Sequence, residues 1–181
     1  SGPSYTLRVI TKIDASPRQQ AALLANLNSI VLDYLARQSM NGSHLSDYIV
    51  KQLPILPPDR YSIRDLDFIT RRVLELTYTS SSLKEWAAAL GHEGHEFTYN
   101  SEARAVIAAE LDAYYCHLYG LSRADLVYIL DPKEAFGTKH PSETFRGLKN
   151  NELKEFGEYR TQRLVLEAWD RIIEPLRRGQ V

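Results

Sequence analysis

The chain has 181 residues, with 22 Lys+Arg against 23 Asp+Glu and a formal net charge of -1. At 44% hydrophobic and 25% charged residues it has an ordinary globular composition and is long enough to bury a core without disulfides. A single cysteine, Cys116, excludes an internal disulfide, and no apolar run approaches the ~18 residues of a membrane span.

The lone cysteine and the absence of a signal-peptide pattern point to a reducing, cytoplasmic setting. The opening Ser1-Gly2-Pro3-Ser4 reads as an artificial leader on a piece of a longer protein. Charge is unevenly spread. Residues 1–60 and 138–181 each carry a basic excess of two, residues 61–100 an acidic excess of two and residues 101–137 an acidic excess of three. Mildly basic ends flank an acidic middle, which is not by itself a nucleic-acid footprint.

Residues 5–13 (YTLRVITKI) alternate and are rich in β-formers, which predicts a strand. Ser16, Pro17 and Gln19 form a capping box with proline at the first helical position. Apolar positions from Leu23 to Leu35 keep helical spacing, so one helix is predicted to about Gln38, before the Asn41-Gly42 turn signal. Ser43 opens a short turn through Ile49. Residues 53–58 (LPILPP) cannot be helical, because proline removes donors and extends the residue before it. That stretch is predicted to be a strand edge or an extended crossing segment.

Ser62 with Asp65 caps a predicted helix running to about Tyr78. Ser80–Ser82 break it, Leu83–Leu90 form a short helix, and residues 91–99 (GHEGHEFTY) form a loop. A long helix over Ser101–Tyr119 closes at Gly120. Ser122 with Asp125 caps another helix, which Asp131-Pro132 stops. The last helical region opens at Pro141-Ser142 and continues to about Ile173, with a kink or break at Gly157. The fold class expected is α+β, mainly α-helical, with a small β-element at 5–13 and 53–57 and a helical C-terminal extension.

Chemistry-bearing motifs are sparse. The sequence has no G-x-G-x-x-G, no Walker loop and no zinc-finger spacing. His92 and His95 are spaced H-x-x-H, one residue short of a zincin pair, and lack a third ligand at suitable spacing. Cys116 and His117 are adjacent on a helix, which makes no catalytic dyad. Tyr114, Tyr115, Tyr119 and Tyr128 cluster in helical register, fit for packing helices or for stacking bases. Neither Asp131-Pro132 nor Leu56-Pro57-Pro58 supplies the Asn/Asp-Pro-Pro-aromatic site of amino-methyltransferases. Arg160 and Arg163 are interleaved with Glu143, Glu152, Glu155 and Glu158, the pattern of a salt-bridged solvent face.

Two stretches resemble a known family. Leu24-Ala25-Asn26-Leu27-Asn28-Ser29 followed by Leu53-Pro54-Ile55-Leu56-Pro57-Pro58 resembles the closing part of a target-recognition domain. The pieces ELDAYYCHLYGLSRADLVYILDP, PSETFRGLKNNE and GEYRTQRLVLEAWD resemble the extreme C-terminal region of restriction-modification N6-adenine DNA methyltransferases. The resemblance implies a parent enzyme that uses S-adenosylmethionine to methylate adenine in double-stranded DNA, with its catalytic and cofactor residues upstream of this piece. No catalytic, cofactor or metal residue is expected within it.

On that reading residues 1–60 are the end of a target-recognition-like domain, and residues 61–181 a helical C-terminal domain. Asn41, Ser43 and His44 offer donors and acceptors to DNA from the turn between the motifs. Lys51, Lys139, Arg146 and Lys149 are the phosphate-contact candidates. The partners implied are double-stranded DNA and an upstream methyltransferase domain. Two alternatives remain open. One is a protein-interaction module docking the methyltransferase onto a nuclease or helicase, which the acidic middle favours. The other is a hydrolase using the His92/His95 loop.

Overall fold

A computed structural model of the chain describes residues 14–40, 46–140 and 143–179. Among these residues the architecture is all-helical. The first two helices are α1 (Pro17–Leu27) and α2 (Ile30–Ser39), followed by one turn, α3 (Asp47–Val50). After the proline-rich crossing come α4 (Ile63–Thr77), α5 (Lys84–Ala89) and the long α6 (Ser101–Leu118). The C-terminal part holds α7 (Arg123–Leu130), α8 (Pro132–Phe136), α9 (Arg146–Phe156) and α10 (Arg160–Ala168). A π-helical turn (Trp169–Ile173) and α11 (Glu174–Arg177) complete it.

The expected α+β class is corrected by this architecture. The strand expected at 5–13 lies outside the described residues. Residues 53–57 form no strand and pair with none among the described residues. The donors a ladder needs are spent elsewhere: the Ile55 N–H bonds back to the Leu53 carbonyl at 2.8 Å, and the Leu56 N–H bonds to the Asn26 side chain at 3.0 Å. Pro54, Pro57 and Pro58 have no N–H to offer.

The capping boxes at Ser16/Gln19, Ser62/Asp65 and Ser122/Asp125 all form, and each starts its helix. The single helix expected over 17–38 is instead two. Asn28 Nδ2 donates to the Leu24 carbonyl at 2.8 Å and closes α1. Ser29 Oγ donates to the Asn26 carbonyl at 2.8 Å and accepts from the Leu32 N–H, opening α2. These short polar side chains compete with the backbone for its own hydrogen bonds, and a continuous apolar stripe does not reveal it. Asp131 likewise ends α7 and caps α8, with Pro132 at the first position of the new helix. Gly157 ends α9 at φ +75°, where a side chain would be strained.

One apolar cluster draws on both sides of residue 60, from Ala21, Ala22 and Val31 through Ile69 and Val73 to Tyr115, Leu126, Val165 and Trp169. Helix α6 is its axis. Helix α1 packs on α4, α4 on α6, and α10 with the π turn lies along α6. Trp169 is 0% exposed; its indole N–H reaches Glu174 at 3.2 Å, and the Arg177 guanidinium stands over its ring. Trp169→Ala removes the largest fully buried side chain, and such truncations cost about 3–5 kcal/mol. At about 2–4 °C per kcal/mol for a chain of this size, thermal unfolding followed by circular dichroism should fall by about 10 °C. A variant melting with the parent would show that this helix is not part of the core.

Candidate nucleic-acid interface

The expected contact residues fall into three environments. Asn41, Ser43 and His44 lie outside the described residues. Lys51, Lys139 and Arg146 are exposed and have no ion-pair partner among the described residues. Lys149 is different: its ammonium sits 2.6 Å from Asp131 and 3.4 Å from Glu143, with Lys133 on the other Glu143 oxygen at 2.7 Å. Burial disfavours the Lys149 ammonium, yet the two carboxylates hold its pKa above the ordinary lysine value. Lys149 therefore ties α9 to the α7–α8 corner.

Arg146 is brought close to the end of α2. Gln38 in the last turn of α2 donates to Thr144 at 3.0 Å, and the Arg37 guanidinium stands 5.4 Å from the Phe145 ring centroid. Arg146 thus stands beside the turn of α2 that precedes Asn41 in the chain. Lys51 follows the short α3, which contacts α2.

The other sequence features resolve into packing. His92 stacks on Phe97 at 5.1 Å, stands edge-on to Tyr78 at 5.6 Å, and donates from Nε2 to the His95 carbonyl. No group of three His, Cys, Asp or Glu side chains among the described residues is placed to hold a metal ion. Cys116 is buried, and burial pushes its thiol up to about 12. Tyr115 is fully buried and donates to the Ala22 carbonyl at 2.7 Å, while Tyr128 packs edge-on against Tyr34. Arg163 is taken up by Glu158 and Glu167, and Arg160 by Glu102.

Three features were not picked out from the sequence. Asn26 is 0% exposed; its amide accepts the Leu56 N–H and donates to the Tyr119 hydroxyl at 2.9 Å, and that hydroxyl donates to the Pro54 carbonyl at 2.9 Å. Asp112 accepts the Ile30 N–H at 2.7 Å, holding the start of α2 to α6, and lines a cleft of about 620 Å³ with Leu24, Asn28, Thr77 and Arg104. Glu110 bridges Arg72 and Arg171. Sequence spacing gave no signal for Asn26 or Asp112, since their partners lie 30 to 93 positions away. The Arg64, Arg71 and Arg72 spacing on one helix was a signal, hidden by the acidic sum over residues 61–100.

Comparison with protein-family models, curated proteins and solved structures finds no match for this chain.

Asp112 carries a pH prediction. Burial, opposed by the Ile30 N–H and assisted by Asp33, raises its carboxyl from 3.8 to about 7. The folded state therefore holds the extra proton between those values, and this group lowers stability as pH rises through that window. Asp112→Asn keeps the acceptor for Ile30 and removes the ionisation. Its stability relative to the parent should rise between about pH 4 and about pH 7 in urea titrations. Parallel pH profiles for the two proteins would contradict this assignment.

Proposed function

We propose that the chain is a non-catalytic DNA-recognition or scaffold piece of a restriction-modification adenine-specific DNA methyltransferase. Methyl transfer and S-adenosylmethionine binding belong on this reading to another part of the polypeptide, because the amino-methyltransferase motif is missing from these residues. The observation that carries the reading is the Asn26 joint. The Leu24–Ser29 motif and the Leu53–Pro58 motif are the two parts of the first resembling stretch, and Tyr119 belongs to the second. These three segments meet through one buried amide and one phenol. Segments singled out only by their likeness to one family thus form one structural unit, which is what a shared scaffold role requires.

Exposed Lys51, Lys139 and Arg146 supply phosphate contacts in this proposal, Arg146 from beside the last turn of α2. A second reading is favoured by one feature. An open groove of about 940 Å³ between α7 and α8 is lined by Tyr128, Phe136 and His140, with Phe136 69% exposed. Such an aromatic lining suits a protein surface and keeps the nuclease or helicase docking module as the alternative.

Duplex binding measured by fluorescence anisotropy tests the choice. The proposed function predicts weak binding that falls with salt, each phosphate contact adding about -0.9 to the log–log slope. Joint replacement of Lys51, Lys139 and Arg146 by alanine should weaken low-salt binding without changing the melting temperature. Lys149→Ala should instead lower the melting temperature, because it leaves Asp131 and Glu143 partly buried without their shared cation. Absence of duplex binding by the parent chain at low ionic strength would favour the docking module.

A further inference from the structure

A separate set of arginines gathers where α4, α6 and the C-terminal helix meet. Glu110 on α6, 8% exposed, accepts from Arg72 Nε at 2.7 Å and from Arg171 Nη2 at 2.5 Å. The Arg72 guanidinium lies flat over Phe68, 3.4 Å from the ring centroid, and Phe68 stacks on Tyr114 at 4.0 Å. The Tyr114 hydroxyl donates to Asp65 at 2.6 Å, and the Tyr114 ring meets His117 edge-on. Arg177 stands over the Trp169 ring and donates to the Leu121 carbonyl at 3.4 Å, just past the end of α6.

Helical spacing aligns these contacts on α6 through 110, 114 and 117 and on α4 through 65, 68 and 72, and Arg171 joins them from the π turn through Glu110. Arg64 and Arg71 are seven residues apart on the ridge of α4 next to Phe68, about 10 Å along its axis. Both are exposed, and Arg71 has no partner among the described residues. Among the described residues Arg178 makes an i,i+4 contact with Glu174 at 3.3 Å, a weak surface pair. The Arg171 side chain remains 60% exposed while bound to Glu110.

The charges on this face do not cancel. Arg64, Arg71, Arg72, Arg171, Arg177 and Arg178 stand against Asp65, Glu75, Glu110 and Glu174, a surplus of two positive charges in a chain whose net charge is -1. The sharing of Glu110 matters most. One carboxylate serving two arginines leaves a positive charge over, and it fixes both planar forks before any ligand arrives. Fixed guanidinium forks match phosphate oxygens in pairs, and an arginine flattened on an aromatic ring loses little further freedom on binding. We infer that this α4–α6–C-terminal face contacts the phosphodiester backbone of double-stranded DNA. The inference rests on the DNA reading above and adds a surface to it, distinct from Lys51, Lys139 and Arg146.

The test uses the full chain, a short labelled duplex, and the variant Arg64→Ala/Arg71→Ala/Arg178→Ala. All three positions are exposed, and none bonds to Glu110. A Lys84→Ala/Lys154→Ala variant, at two exposed positions on α5 and α9, serves as the control. The arginine variant should bind the duplex at least tenfold more weakly at low salt, while the control binds as the parent does. Its log–log salt slope should be shallower by about 0.9 for each phosphate that these arginines neutralise in the parent. If the triple variant melts early, Arg71→Glu alone gives the same comparison. Equal affinity and slope in parent and arginine variant would overturn this surface and leave the DNA reading standing. Absence of duplex binding by the parent would overturn both. Polyglutamate binding with the same dependence on these arginines, and no duplex binding, would assign the face to an acidic protein instead.

Discussion

The carboxamide of Asn26 is the tie on which the arrangement of the helices depends. An asparagine offers two donors and an acceptor oxygen, and inside a core each must be met. Here the oxygen takes the N–H of Leu56, thirty residues on, and the nitrogen donates to the hydroxyl of Tyr119, ninety-three residues on. The Tyr119 hydroxyl in turn donates to the Pro54 carbonyl. The amide therefore fixes where the proline-rich crossing runs over α1 and α6. That crossing leads directly into α4, so it also sets how α4 lies between α1 and α6. A hydrogen bond of this kind contributes only about 1 kcal/mol net, but leaving its buried partner unmet costs about 1–3 kcal/mol. Such a tie specifies an arrangement more than it adds to total stability.

Helix α6 repeats this device on each of its faces. Asp112 receives the first N–H of α2, Tyr115 donates to α1, Glu110 holds α4 and the π turn, and Tyr119 holds the crossing. Between these polar ties lie Ala109, Ala113 and Cys116, small side chains that let the neighbouring helices approach closely. Across the π turn, Trp169 and Ile173 lie in the core while Arg171, between them, reaches Glu110. Packing, charge and the proposed DNA-facing arginines thus meet along one helix.

The sequence made the helices legible wherever local chemistry decided them. Three capping boxes, the proline at α1, the end of α6 at Gly120 and the break at Gly157 all lie where short-range hydrogen bonding puts them. What could not be read there was set by partners far away in the chain. The division at Asn28-Ser29 was hidden inside an apolar stripe that continues across it. Residues 53–57 have the composition of a strand edge, but the Ile55 N–H turns back to Leu53 and the Leu56 N–H goes to Asn26. Among the candidate contact residues, exposure at Lys51, Lys139 and Arg146 agrees with their charge. The tie of Lys149 to Asp131 depends on an α7–α8 corner that a proline was expected only to terminate.

The central claim is that Asn26 and Tyr119 act as one joint binding the crossing, α1 and α6 into a single cooperative body. A double-mutant cycle with Asn26→Ala and Tyr119→Phe, read by urea denaturation, measures this directly. The account predicts one cooperative transition in every variant and a coupling energy above about 1 kcal/mol between the two positions. Additive effects within about 0.5 kcal/mol, or two separate transitions in the parent chain, would contradict it.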